Sequence, residues 1–201
     1  MAGNGVIVLS VLAASLVLVN CQSKPEFCKS YDCPLFTSQS FNGYELRSYG
    51  PTTWVGTSRL ASSSDSAVNG MFMKLFRYIG GDNAAGQKIK MTVPVLTKVE
   101  AVGGGQFRYT MLFYLTDNTP PAPTESGVEI ITMPAKDVYV RTFYKWFFMA
   151  DNNDYMNEAD ELRLSLDGNG ASYAANSYYQ TGYTSPWWPL RKHHEVWLDS
   201  V

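Results

Sequence analysis

Apolar and polar positions alternate with a period of two around Tyr44, Leu46 and Ser48, and again at Trp54, Val55 and Thr57. Pro51 lies between them, so two short strands are predicted on either side of it. The period then lengthens. Val68, Phe72, Leu75, Phe76 and Ile79 fall at i, i+4, i+7, i+8 and i+11, one face of an α-helix. Ser64 or Asp65 is placed to cap its start, and Gly80-Gly81 ends it. That face directs Phe72, Leu75, Phe76 and Ile79 at a sheet and leaves Met73, Lys74 and Arg77 to the side or outward. Lys90 to Val95 and Phe107 to Leu115 read as strands, with the Gly103 to Gly105 turn between. Val138 to Trp146 reads as a further strand. Tyr155, Ala159, Leu162 and Leu166 give a second one-sided helix closed by Asp167-Gly168, and strands at Tyr173 to Tyr179 and Glu195 to Leu198 complete the chain.

The plan is written twice. Phe41 to Thr57 and Gly127 to Thr142 both begin Gly-x-Glu-aliphatic within a residue or two, reach a proline and resume apolar alternation, and each is followed by a helix and more strand. Two units are too few for a solenoid, so the pattern predicts one pseudo-symmetric α+β domain: a mostly antiparallel sheet with two flanking amphipathic helices. The Pro-rich stretch Asn118 to Gly127 joins the halves and is expected to be an exposed connection.

The first residues follow a different rule. Val6 to Val19 is a run of 14 residues without charge. A spanning helix needs about 20 such residues, whereas a secretory h-region needs about 7–15. Residues 1–21 are therefore expected to form a signal peptide, despite an n-region without Lys or Arg, and residues 22–201 the mature domain. An uncleaved anchor is the competing reading. Export would place Cys28 and Cys33, with four residues between them, in an oxidising compartment, where they are expected to close a short disulfide loop. The protein is then expected to be extracellular.

In 201 residues, 45% are hydrophobic and 17% charged, so disorder is not expected. The net charge of −2 offers no argument for nucleic acid or an anionic membrane. Enzyme signatures are absent: no phosphate loop, no dinucleotide fingerprint, no nucleophile elbow, no zinc-protease motif. His193 and His194 are the only histidines, and as strand neighbours they point to opposite faces and form no dyad. Glu158, Asp160 and Glu161 have the spacing of a solvated helix face, and Asp151 to Asp154 that of a helix start. A binding protein remains, with no side-chain metal site expected. The first helix combines aromatic, thioether and cationic groups, which suit an apolar ligand carrying carboxylates, although a plain core helix has the same composition.

Four stretches carry a family resemblance when taken together in order: Tyr44 to Tyr49 with Pro51 and Trp54; Phe72 to Gly81 (FMKLFRYIGG); Lys88 to Val95 (KIKMTVPV); and Gly182 to Leu198 (GYTSPWWPLRKHHEVWL). From about Tyr31 to Leu198 the chain resembles the SOUL/heme-binding protein family, in its secreted form. The resemblance implies a distorted antiparallel β-barrel of two similar halves with two long helices, and non-covalent binding of heme or another tetrapyrrole without catalysis. It implies a site beside the first helix at Phe72, Met73, Phe76 and Arg77, with Arg191 or Lys192 reaching a propionate. Met91 is added here to the pocket wall. One feature departs from relatives for which a histidine ligand has been proposed: no histidine precedes His193, so a first-half axial histidine is impossible. Hydrophobic binding with propionate pairing is expected; Met, Tyr or the C-terminal histidines are the alternative ligands. Beside this carrier or scavenger reading stands a protein-interaction module using Trp187-Trp188, unless that pair is buried against the second helix. An enzyme acting on a tetrapyrrole is the third reading.

Overall fold

The computed structural model describes residues 18–19, 24–185 and 187–201. The expected leader lies outside the described residues except for Leu18–Val19. In chain order the strands are β1 (Leu18–Val19), β2 (Phe36–Phe41), β3 (Tyr44–Tyr49), β4 (Thr52–Ala61), β5 (Val95–Gly103), β6 (Gln106–Leu115), β7 (Val128–Met133), β8 (Lys136–Lys145), β9 (Ser177–Gly182) and β10 (Lys192–Asp199). Helix α1 (Ser64–Gly80) follows β4, and α2 (Asn152–Gly168) follows β8. All neighbouring strands pair antiparallel in one curled, half-barrel sheet of order β1-β2-β3-β8-β10-β9-β5-β6-β4-β7. The fold is α+β, a distorted barrel with two helices on it.

The duplication is visible in the strand order. Exchanging β3 with β7, β8 with β4, β10 with β6 and β9 with β5 reverses the run β3-β8-β10-β9-β5-β6-β4-β7 onto itself. The pseudo-two-fold axis therefore passes between β9 and β5. α1 packs on β4 and β6, and α2 on β10 and β8, as that symmetry requires.

Period-two alternation divides the apolar residues between two cores. Val55, Val99, Met111, Phe113, Val196 and Leu198 face the helices, where they meet Leu75 of α1 and Leu162 of α2. Their chain neighbours Trp54, Leu112 and Trp197, with Leu96 and Val140, line the hollow of the curled sheet. The segment before β2 closes that hollow: the Cys28–Cys33 disulfide forms as expected, and both cysteines are buried with Phe36 and Tyr49.

Two strand assignments shift. Lys90 to Val95 is not a strand; β5 begins only at Val95, and Thr92 makes an isolated bridge to Asp32. Pro94 has no N–H to give a ladder, so pairing starts after it. Tyr173 also precedes its strand: it makes only an isolated bridge to Ser200, its hydroxyl donates to Asp167 at the end of α2, and pairing of β9 begins at Ser177.

Candidate ligand-binding face

Helix α1 is rotated relative to the face read from its spacing. Met71, Leu75, Tyr78 and Ile79 are the buried positions, with Val68 and Phe72 partly buried against them. Tyr78 sets the rotation: its ring enters the core and its hydroxyl donates to the Pro121 carbonyl at 2.7 Å. Phe76, expected to face the sheet, is thereby turned outward and is 47% exposed, beside Met73 at 48%. Phe72 bridges the two environments. Its ring stacks on Phe76 at 5.8 Å and meets Phe113 of β6 edge-on at 5.3 Å.

The edge of this face is cationic, and the Pro-rich connection supplies its counter-charge. Arg77 holds Glu125 bidentately, with Nη2 donating to Oε1 at 2.7 Å and Nε to Oε2 at 3.2 Å. Lys74 donates to the Ser126 carbonyl at 3.1 Å and lies 3.8 Å from the same carboxylate. The connection is thus pinned along α1 rather than loose: Ala84 donates to the Ala122 carbonyl and Thr124 to that of Asp82. Glu125 was missed in the sequence because nothing in a Pro- and Thr-rich loop marks one carboxylate as a partner.

Met91 is partly buried against the helix-side core, in the segment that follows α1 and donates from Ile89 to the Ile79 carbonyl. The other two candidate cations belong to the opposite half. Arg191 is exposed and lies 3.4 Å over the Tyr144 ring of β8. Lys192 is buried, and its Nζ donates to the carbonyls of Trp188 and Ser185. Phe72, Met73, Phe76 and Arg77 therefore form one surface, while Arg191 and Lys192 stand with the half covered by α2.

The histidines do point to opposite faces. His194 faces α2 and is completely buried; its Nδ1 lies 2.8 Å from the Tyr155 hydroxyl, which donates to the Thr181 carbonyl. The Tyr155 proton being so used, Nδ1–H is the donor to Tyr155, and Nε2 is left a buried acceptor with no hydrogen-bond partner. Burial, with smaller contributions from His193 and Lys192, pushes His194 down to about 4. His193 faces the hollow, where its Nε2 is 2.7 Å from Glu195 Oε1.

Glu195 is the centre of a buried cluster. Arg47 grips it through both terminal nitrogens at 3.0 Å, and Tyr183 and the Trp197 indole each donate to it at 2.8 Å. Burial alone would raise its pKa; Arg47 and His193 outweigh that and bring Glu195 down to about 2. An ionised carboxylate only accepts, so His193 Nε2 carries the proton. Phe36 and Phe27 cover the Arg47 guanidinium, closing the cluster to ligands.

Near the pseudo-two-fold axis, a pocket of about 190 Å³ opens among Val99, Phe107, Tyr178 and Met156, with Asp160 and Arg163 beside them. It is smaller than the ~300–1,000 Å³ usual for drug-sized ligands. No group of three or more metal-ligating side chains occurs among the described residues.

A curled antiparallel sheet with a helix on each pseudo-symmetric half is shared with the C-terminal domain of EcmrR, at TM-score 0.56 and 11% identity over 79% of this chain and 96% of that one. A hydrolase from Listeria innocua has the same fold, at TM-score 0.52 and 9% identity over 79% of this chain and 91% of the other. Those likenesses concern fold alone. At the level of sequence, the family model of the SOUL heme-binding protein matches residues 31–199. Heme-binding protein 2 of Homo sapiens is 38% identical over 161 residues, 77% of each chain. Heme-binding protein 1 of Mus musculus is 32% identical over 139 residues, 67% of this chain and 72% of the mouse protein. The chain belongs to the SOUL heme-binding protein family.

Proposed function

We propose that this protein binds heme or another tetrapyrrole non-covalently on the outer face of α1, as an extracellular carrier or scavenger. One observation carries the reading. At the edge of an exposed aromatic and thioether surface, Arg77 already holds a carboxylate in bidentate geometry. Glu125 occupies the place a propionate would take. The ring would lie over Phe72, Phe76 and Met73, with Lys74 as a second cation at the rim. Met91 packs partly buried on the helix-side core behind this face, and Arg191 and Lys192, on the half covered by α2, take no part in the site. The porphyrin plane rests on the face instead of entering a cavity, which fits the small volume of the pocket near the axis. Names of the relatives support a tetrapyrrole as the ligand class.

Axial ligation by histidine is not part of this reading. Both histidines are buried in the other half and engaged by Glu195 and Tyr155. The chain's own residues position an apolar macrocycle and neutralise its carboxylates.

Titration of the full chain with hemin, read by the Soret band against albumin as a nonspecific control, tests the proposal. Arg77→Ala is expected to weaken binding about fivefold, equivalent to ~1 kcal/mol for a partly exposed charge pair. Glu125→Gln is expected to strengthen it a few-fold by releasing Arg77 from its internal partner. His193→Ala and His194→Ala should leave the bound spectrum unchanged. A spectrum that is six-coordinate and low-spin, and lost in either histidine variant, would overturn the site.

A further inference from the structure

The most exposed aromatic groups are not on α1. Antiparallel pairing sets Lys192 opposite Lys145 and His193 opposite Tyr144, so the chain leaves β8 and enters β10 at one end of the sheet. Two loops meet there. One carries Trp146, Phe147 and Phe148 into α2, and the other carries Trp187 and Trp188 into β10. Trp187 is 93% exposed, Phe148 76% and Phe147 65%. Phe147 has φ +69°, a left-handed conformation that a bulky side chain rarely adopts, and Phe148 N–H donates to the Trp146 carbonyl to close the turn. The backbone thus holds three consecutive large apolar residues outward in a strained turn, where burial within the fold would have been the cheaper state.

Exposed cations stack on rings of the same end. Arg191 lies over the Tyr144 ring at 3.4 Å, and Lys29 Nζ over the Trp188 ring at 3.9 Å. The nearby carboxylates of α2 are engaged: Asp151 caps the helix through the Asp154 N–H, and Asp154 pairs with Lys145 at 2.8 Å. Highly exposed aromatic rings with guanidinium and ammonium groups stacked among them suit a bilayer interface, where rings settle at the acyl boundary and cations meet anionic headgroups. The net charge of −2 hides this arrangement, because a surface potential is read by the groups that face it.

We infer that this end of the sheet is a membrane-docking surface, inserting Trp146, Phe147, Phe148 and Trp187 into a bilayer that carries anionic lipid. The surface lies on the half covered by α2, away from the α1 face, so it does not depend on the tetrapyrrole reading.

The full chain mixed with vesicles of phosphatidylcholine and phosphatidylserine, with brominated acyl chains, tests it through tryptophan quenching. Five tryptophans are present, and Trp54 and Trp197 are buried, so quenching reports Trp146, Trp187 and Trp188. The apolar residues 6–19 contain no tryptophan and cannot mimic the signal. Strong quenching is expected with phosphatidylserine and weaker quenching with phosphatidylcholine alone. Phe147→Ser/Phe148→Ser is expected to raise the lipid concentration for half-binding at least tenfold, and Arg191→Gln a few-fold, selectively on anionic vesicles. Sedimentation with vesicles but no quenching would place any lipid contact elsewhere and overturn the inference. So would a concentration-dependent dimer abolished by Phe148→Ser, which would assign the surface to a second copy of the chain.

Discussion

Arg47→Met is expected to destabilise the protein by about 3–5 kcal/mol, the range for removing one partner of a buried ion pair. Arg47 and Glu195 are both essentially inaccessible, so water cannot replace the missing charge. Tyr183, Trp197 and His193 would still donate to Glu195, but their hydrogen bonds offset only part of a desolvated carboxylate. For a chain of this size the loss corresponds to a fall in melting temperature of roughly 10–15 °C. Replacing both partners, as Arg47→Met/Glu195→Leu, should recover part of the stability, since the only carboxylate then left without Arg47 is that of Glu45, which water still reaches. Chemical denaturation of the three proteins decides the matter. An Arg47→Met protein within about 1 kcal/mol of the parent would mean that Glu195 is not held as an ion in the hollow.

The second large effect is a pH dependence with two separate sources. His194 is neutral in the fold because burial holds it down to about 4, whereas an unfolded histidine titrates near 6.5. Between those values the unfolded chain binds a proton that the native state refuses. Stability therefore falls as pH drops from 6.5 to 4, by ~1.4 kcal/mol per unit and about 3 kcal/mol in all. Glu195 works in a lower window. Its carboxyl is depressed to about 2, so its contribution is complete above the ordinary carboxylate range and is lost as pH falls from there toward 2. His194→Gln should flatten the stability profile between pH 6.5 and 4 and leave the steeper loss below it. Parallel profiles for parent and variant would exclude His194 as the source. Removing the hydrogen bond to Tyr155 moves the whole curve of the variant but does not change this slope.

The two helices were legible because α1 and α2 are stripes of period 3.6 long enough to outweigh local accident. The duplication was legible because both halves repeat the same turn and strand pattern. The short disulfide loop and the opposed histidines followed from spacing. The strand before Pro94 was misplaced because an apolar run looks the same whether or not its N–H groups pair. The family motifs pointed to α1, but not to the fact that Phe76 faces outward. That depends on Tyr78 finding the Pro121 carbonyl 43 residues away.

What the sequence by itself determined was local: where the period changes, which residues cap or break an element, and that two like halves make one domain. Tertiary structure alone decided which groups meet. Glu125 reaches Arg77 across 48 positions and Glu195 reaches Arg47 across 148, and neither pairing leaves a trace in nearby composition. The aromatic end of the sheet likewise exists only because β8 and β10 are neighbours, which puts the loop of Trp146 to Phe148 and the loop of Trp187 at the same end. Side-chain chemistry is written along the chain, but its partners are set by strand order, and strand order is a property of how the whole sheet buries its two faces.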